Sequence, residues 1–455
     1  MDTKWLDEFV LERMRRTRLP GVSLALMDEE EVLYARGYGF RDLERALPTT
    51  PTTLYGIGSV TKSFTALAIM RLAEEGKLSP EDPVERYLPL RVRPFGEPIR
   101  IGHLLTHTSG LPALAYAEAQ IRWAQGTGGQ SLPLASVEDF LTWVNGAADW
   151  VEARPGERWF YLNEGYVLLG AIIERVSGLA YAEYLRRETL APLGMTSTGF
   201  LGEELPEPAK PYVIPAQGQP RPGKVAPIPI GSDGALVSSV VDLARYIQMF
   251  LRGGAPLLRP GSLAEMIRPR IPLPHRPSPA FPEEVHIPAY AYGLMVQPFL
   301  EATLIGHGGS VLVYTAYLGF VPERRLGVAV LANGSGYPMA QLAQVALALA
   351  MGADPHRLPF LRLEGAVEAV AGVYGSYGEG MRVAVRPKDG VLELVVEDKE
   401  APQSVYLTVE GVAREEVRCL ALLGDRVLPV IFRRKAGEVE LLYERYKLRR
   451  LSPWE

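Results

Sequence analysis

One cysteine, Cys419, occurs in 455 residues. That excludes an intramolecular disulfide and any Cys-rich metal site, and a lone cysteine reads as a small buried hydrophobe. Asparagine occurs three times and lysine nine times, against 39 arginines and 38 prolines. Scarce amides and abundant proline fit a heat-adapted source, and a GC-rich genome accounts for the arginine equally well. No stretch reaches the roughly 18 apolar residues of a membrane span. Met1 to Leu19 is amphipathic, with neither an apolar signal core nor a small-residue cleavage site, so the expected location is cytoplasmic. A net charge of −5 is small for this length and leaves no nucleic-acid footprint. Histidine is scarce too. His103 and His107 stand four apart, but no glutamate lies between them and the short helix there ends before His107. His275, His286 and His356 have no partner at ligand spacing, so no metal and no other cofactor is expected.

At this length two or three domains are expected. Residues 3–17 carry Trp5, Phe9, Val10 and Met14 on one helical face. Val22 to Met27 and Val32 to Ala35 read as a β-hairpin ending near Gly37-Tyr38-Gly39. Ser59 to Glu75 is helical and stops at Gly76. Further helices are expected over Ile101–Leu105, Val137–Val144, Gly165–Ser177, Tyr181–Leu190, Val240–Leu251 and Gln341–Met351. Gln120 to Pro133 reads as a glycine-bearing surface loop, and Pro206–Pro229 as an extended excursion. After a second proline cluster, Pro269–Pro288, four antiparallel strands are expected: Ala291–Val296, Thr303–Gly306, Ser310–Val321 and Leu326–Ala332. Met381–Arg386 and Val391–Val396 form a hairpin about Pro387-Lys388-Asp389-Gly390. Val427–Arg433 and Val439–Leu448 form another through Ala436-Gly437, giving an all-β module at the C-terminus.

Three short patterns carry chemistry. Ser59 and Lys62, three apart at a helix start, share one face, so a neutral lysine can take the serine proton and leave a nucleophile. Ser-x-x-Lys alone is weak: roughly 0.4 matches are expected by chance in this composition. Tyr161-Leu162-Asn163 is rarer, at roughly 0.1. Its phenol can pass a proton to a leaving group, and its amide can hold a carbonyl. A packed tyrosine beside a helix-capping asparagine is the plain alternative. His307-Gly308-Gly309-Ser310, between two strands, lets a backbone approach a ligand and offers N–H groups to an oxyanion. A glycine turn with an incidental histidine is the alternative there.

In this order and separation, the three resemble the serine β-lactamase and penicillin-binding superfamily. The likeness is to its class C-like branch of DD-peptidases, D-aminopeptidases, family VIII esterases and CubicO-type proteases. Leu104-Leu105-Thr106-His107-Thr108-Ser109-Gly110-Leu111-Pro112 and Gly231-Ser232-Asp233-Gly234-Ala235-Leu236, leading to Asp242-Leu243-Ala244-Arg245, resemble it also. The resemblance implies an α+β fold: an antiparallel sheet flanked by helices with a helical subdomain over residues 1–360, then a lipocalin-like β-barrel over 361–455. It implies Ser59 as the acylated nucleophile and Lys62 as its base or relay. Tyr161 would protonate the leaving group, or serve as the base itself while Lys62 stays charged. Asn163, His307, Gly308 and Gly309 would bind substrate, with the backbone N–H groups of Ser59 and Ser310 as oxyanion hole. His107 and Ser109 read as scaffold. Histidine where many lactamases have lysine ranks a peptidase on short or D-residue-containing peptides first. A family VIII-type carboxylesterase comes next and a β-lactamase third. A non-catalytic sensor usually lacks a catalytic side chain, and here Ser59, Lys62, Tyr161 and Asn163 are all present. The implied partners are a small peptide or ester, with neither nucleic acid nor membrane, and further copies of the chain assembled through the C-terminal domain.

Overall fold

Gly21–Met27 and Leu326–Ala332 are apolar with little alternation because both of their faces are covered. They pair antiparallel as the third and fourth strands of a nine-stranded sheet, with Val22 opposite Ala332 and Met27 opposite Gly327. On one side follow Val32–Asp42 and Leu47–Pro48. On the other follow Tyr314–Val321, Ala302–Val311, Met295–Phe299, Ala289–Tyr290 and Ile271–Pro272. Val240–Leu251 and Met339–Ala350 pack on the central strands. The former starts where Ser239 Oγ accepts the Asp242 N–H at 3.2 Å, a side-chain N-cap. The structure, a computed structural model, describes residues 1–128, 132, 134–206, 208–225, 231–275, 278–281, 287–311, 313–388, 391–396, 403–435 and 437–454.

The chain divides into two compact units, 1–274 with 288–353, and 275–287 with 354–455. In the first, the helix Thr61–Glu74 is the axis of the helical half, and Phe64, Leu67, Ala68 and Ile69 are fully buried. Gly76 follows it in the left-handed conformation, as expected of a helix stop. The helix Asn163–Ser177 packs against it. The second unit carries the helix Pro359–Val370 and a closed barrel of eight antiparallel strands, each beside its sequence neighbours. The first strand, Gly372–Gly375, meets the last, Tyr446–Pro453. Cys419 lies among Val385, Leu407 and Phe432 in the barrel core, where burial pushes its thiol up to about 12.

Several local expectations differ from the structure. His307-Gly308-Gly309 is not a connection between strands. Thr303–Gly306 runs on through it to Val311, with His307 opposite Leu318 and Gly309 opposite Ala316, and the next strand opens at Tyr314. Of the expected strand Ala291–Val296 only Met295 and Val296 are strand; Ala291–Leu294 is a tight turn closed by the Ala291 N–H on Leu294 O (2.8 Å), between the short strands Ala289–Tyr290 and Met295–Phe299. The first half of the expected loop from Gln120 is helix, Tyr116–Gln125, closed by Gly126; residues 129–131 and 133 lie outside the described set. Tyr181–Leu190 is α-helical only to Leu185 and continues with wider, π-type turns. Val439–Leu448 is two strands, Glu438–Tyr443 and Tyr446–Pro453, split by a turn with Glu444 at φ 51°. The described part of 206–229 includes a two-stranded ribbon, Tyr212–Val213 with Arg221–Pro222. His286, Asp389, Gly390 and Ala436 fall outside the described residues.

Candidate active site

Ser59 sits in a single 3₁₀ turn, Gly58–Val60, which runs into the helix carrying Lys62. Gly58 has φ 52°, and a β-carbon there would lie 2.7 Å from the Ser310 backbone, so the turn and the strand edge meet only through glycine. Gly309 meets the same turn from the strand side: a β-carbon would run into the Ile57 carbonyl. These two contacts bring Ser59 and Ser310 to one wall of a cleft of about 630 Å³, with Tyr161, Asn163 and His307 also lining it.

Lys62 is fully buried, and its Nζ has three partners: Ser59 Oγ at 3.2 Å, Asn163 Oδ1 at 2.8 Å and the Asp233 carbonyl at 2.7 Å. Two of these accept only. An amine can therefore donate its two hydrogens to the carbonyl oxygens and turn its lone pair to the Ser59 hydroxyl. The carbonyl of Asp233 is placed by a strap along the helix. Thr65 Oγ1 donates to Ser232 O (2.6 Å), the Leu236 N–H to Thr61 Oγ1 (3.2 Å), and the Ile57 N–H to Leu236 O (2.9 Å). Nζ also stands 5.0 Å from the centre of the Tyr161 ring.

Tyr161 is held from behind by His107, which is 1 % exposed with φ 58°. The His107 carbonyl accepts the Phe160 N–H at 2.8 Å, its Nδ1 accepts the Leu162 N–H at 3.0 Å, and its ring packs on the Tyr161 ring at 4.2 Å. The scaffold expectation thus acquires a target: this turn sets the backbone on both sides of the phenol. Burial, with Lys62 next, holds the His107 imidazole well below its ordinary pKa. It is neutral, with the proton on Nε2.

His307 Nδ1 faces the Gly308 carbonyl at 2.5 Å, so it donates, and Nε2 accepts the Tyr290 O–H at 2.9 Å. Burial takes its pKa down to about 4. Both nitrogens are committed to the protein, and the strand edge presents an uncharged ring to the cleft. Glu164 and Asp233 are buried carboxyls, and Asp233 lies beside Lys62. Burial pushes Glu164 up to about 7 and raises Asp233, where Lys62 and the Tyr116 hydroxyl on Oδ2 pull the other way. Tyr290, Glu164 and Tyr116 carry no local sequence signal. Asp233 stood inside a family-like stretch without a role.

A buried lysine at a serine on a helix start, a tyrosine and an asparagine opposite, and a strand edge completing the cleft define a β-lactamase-like site. Residues 6–351 match the Beta-lactamase family model, and residues 355–449 match the Pab87 octamerisation domain. The chain belongs to the beta-lactamase family of serine hydrolases. It is 40% identical to the octameric penicillin-binding protein homologue from Pyrococcus abyssi, with a TM-score of 0.90 over 99% of this chain and 100% of that one. It is 27% identical over 335 residues to Protein flp of Staphylococcus aureus (strain N315), covering 72% of this chain. The chain spans 62% of that curated relative's length. The D-amino acid amidase from Ochrobactrum anthropi SV3 shares the fold, at 23% identity and a TM-score of 0.63 over 77% of this chain and 99% of that one.

Proposed function

We propose that the protein is a serine peptidase acting through an acyl-enzyme on Ser59, with short or D-residue-containing peptides as substrates. The observation that carries this is the contact of Lys62 Nζ with Ser59 Oγ at 3.2 Å, its other partners being two oxygens that only accept, so that in the neutral amine the lone pair faces the Ser59 proton. Ser59 Oγ attacks the scissile carbonyl as its proton passes to Lys62, and the oxyanion takes the backbone N–H groups of Ser59 and Ser310. The Tyr161 phenol, with Lys62 beneath its ring, delivers a proton to the leaving amine and later accepts one from the deacylating water. Asn163 orients both Lys62 and the substrate amide. Gly308, where a β-carbon would meet nothing closer than 3.9 Å, leaves room for an extended substrate backbone along the strand, Gly309 seats that strand on the Gly58–Val60 turn, and His307 lines the edge without charge.

An uncharged ring in place of a cation gives a substrate carboxylate no counter-ion at this edge, which favours peptides over β-lactams. The match of residues 355–449 to an octamerisation domain, together with the octameric Pyrococcus abyssi homologue, supports a homo-oligomer built through the barrel. Turnover of D- and L-residue peptides, p-nitrophenyl esters and nitrocefin, each beside Ser59→Ala, tests the substrate class. Peptides are expected to give the highest kcat/KM. Nitrocefin or the ester leading the panel would overturn the peptidase assignment.

A further inference from the structure

Lys62 Nζ donates to the Asp233 carbonyl at 2.7 Å, and that carbonyl lies in a turn bounded by Gly231, at φ 82°, and Gly234. Glycines at both ends leave the main chain freer than other residues would. The preceding carbonyl, of Ser232, is held by Thr65, and the turn closes through the Ala235 N–H on Gly231 O at 3.0 Å. Asp233 itself is tied from a different element. Its side chain is buried, its Oδ2 accepts the Tyr116 hydroxyl, and its Oδ1 has no hydrogen-bond partner. One hydrogen bond, from a residue 117 positions away, therefore sets where this carboxyl points. Tyr116 is a firm post for it. The tyrosine is 3 % exposed, its ring meets Phe140 edge-on at 4.9 Å, and its N–H donates to Glu164 Oε1 at 3.4 Å. Burial and the Asp233 charge hold its phenol well above the ordinary tyrosine range, so it stays protonated and donates. It also opens the helix Tyr116–Gln125, whose Ala117, Gln120 and Ile121 line the cleft.

We propose that Tyr116 is a positioning residue for the catalytic lysine: its hydroxyl anchors the Asp233 side chain, and the anchored Asp233 holds the carbonyl that turns Lys62 Nζ toward Ser59. This rests on the serine-hydrolase reading above and adds a residue that acts through two others. The neutral amine aims its lone pair at Ser59 only while both of its hydrogens are engaged, by Asn163 and by the Asp233 carbonyl. A carbonyl that drifts lets the lone pair turn away. The helix that walls the cleft and the base are thereby joined through one side-chain hydrogen bond.

Tyr116→Phe keeps the ring and removes only the hydroxyl. In the full chain, kcat on the peptide panel and the rate of fluorophosphonate labelling at Ser59 should both fall about 10- to 100-fold, with KM little changed. Each variant is read at its own pH optimum, so that a changed proton on the lysine is not mistaken for a changed position. Asp233→Ala should lose as much, and the double variant no more than either single one, because all three break the same link. Asp233→Asn still pairs with the phenol and should keep about tenfold more of both rates than Asp233→Ala. Those two variants read the link even where Tyr116→Phe does not fold. Melting curves separate positioning from stability. Tyr116→Phe strands a buried carboxyl and should melt lower, whereas the double variant removes that carboxyl and should recover the melting temperature but not the rates. Unchanged rates in a folded Tyr116→Phe, losses that multiply in the double variant, or an Asp233→Asn as slow as Asp233→Ala would overturn the positioning role. So would a double variant that recovers its rates together with its melting temperature. A Ser59→Ala protein that takes the label as fast as the wild type would instead overturn the hydrolase reading itself.

Discussion

Replacing Glu164 by glutamine isolates a cost built into the site. Glu164 is 1 % exposed in the first turn of the Asn163–Ser177 helix, and its Oε1 accepts the Tyr116 N–H at 3.4 Å. Burial pushes its carboxyl up to about 7 from 4.5, with the Asp233 and Glu118 charges adding to the rise. Between these values the folded protein keeps a proton that the unfolded chain has lost. Glu164 therefore contributes stability below about pH 4.5 that disappears as pH rises through 7. The difference corresponds to about 3 kcal/mol. Glutamine has the shape of the protonated acid and does not titrate. Glu164→Gln should thus match the wild type near pH 4.5 and be more stable by up to about 3 kcal/mol at pH 8, a gain of a few degrees in melting temperature. Melting curves of both proteins across that range measure it. A difference that stays flat with pH, or shrinks as pH rises, would refute the placement of a neutral acid at this position.

Three further outcomes follow from named contacts. Lys62→Met should lower kcat by about 10²- to 10⁴-fold while the melting temperature holds or rises, since a buried amine is replaced by an apolar chain of similar length. Steady-state kinetics and melting curves read the two effects separately. Gly309→Ala places a β-carbon against the Ile57 carbonyl and should destabilise the first unit by about 1–3 kcal/mol while lowering kcat/KM, because the Gly58–Val60 turn must move. Cys419, buried in the barrel with its thiol near 12, should react with a disulfide reagent only after denaturant is added.

The parts of the site that are local in sequence were legible from sequence. Ser59 and Lys62 face one another because a helix turn puts residues three apart on one face, and the contact is there at 3.2 Å. Tyr161, Asn163 and His307 line the same cleft as Ser59, but they had been brought together only by family resemblance. No periodicity links residues about a hundred positions apart. The glycines after His307 were read as a link between two strands that lets a backbone approach a ligand, with a plain turn as the alternative. At Gly309 the reason is tertiary, the close passage of the Ile57 backbone, which no neighbouring residue announces. The same holds for Asp233: its partner Tyr116 is 117 residues away, and its importance comes from burial. In the barrel the strands within 381–396 and 427–448 were legible, whereas Gly372–Gly375, Gln403–Val412 and Glu416–Leu423 were not read, nor was the turn at Glu444, since a glutamate in the left-handed region gives no warning.

The central claim is that Ser59, and no other serine, becomes covalently acylated. Incubating the protein with a fluorophosphonate probe and mapping the adduct by mass spectrometry tests this directly. The account predicts one equivalent of label on the peptide containing Ser59, none in Ser59→Ala, and a strongly reduced rate of labelling in Lys62→Met. A wild-type protein that takes no label, or takes it at another residue, would contradict it.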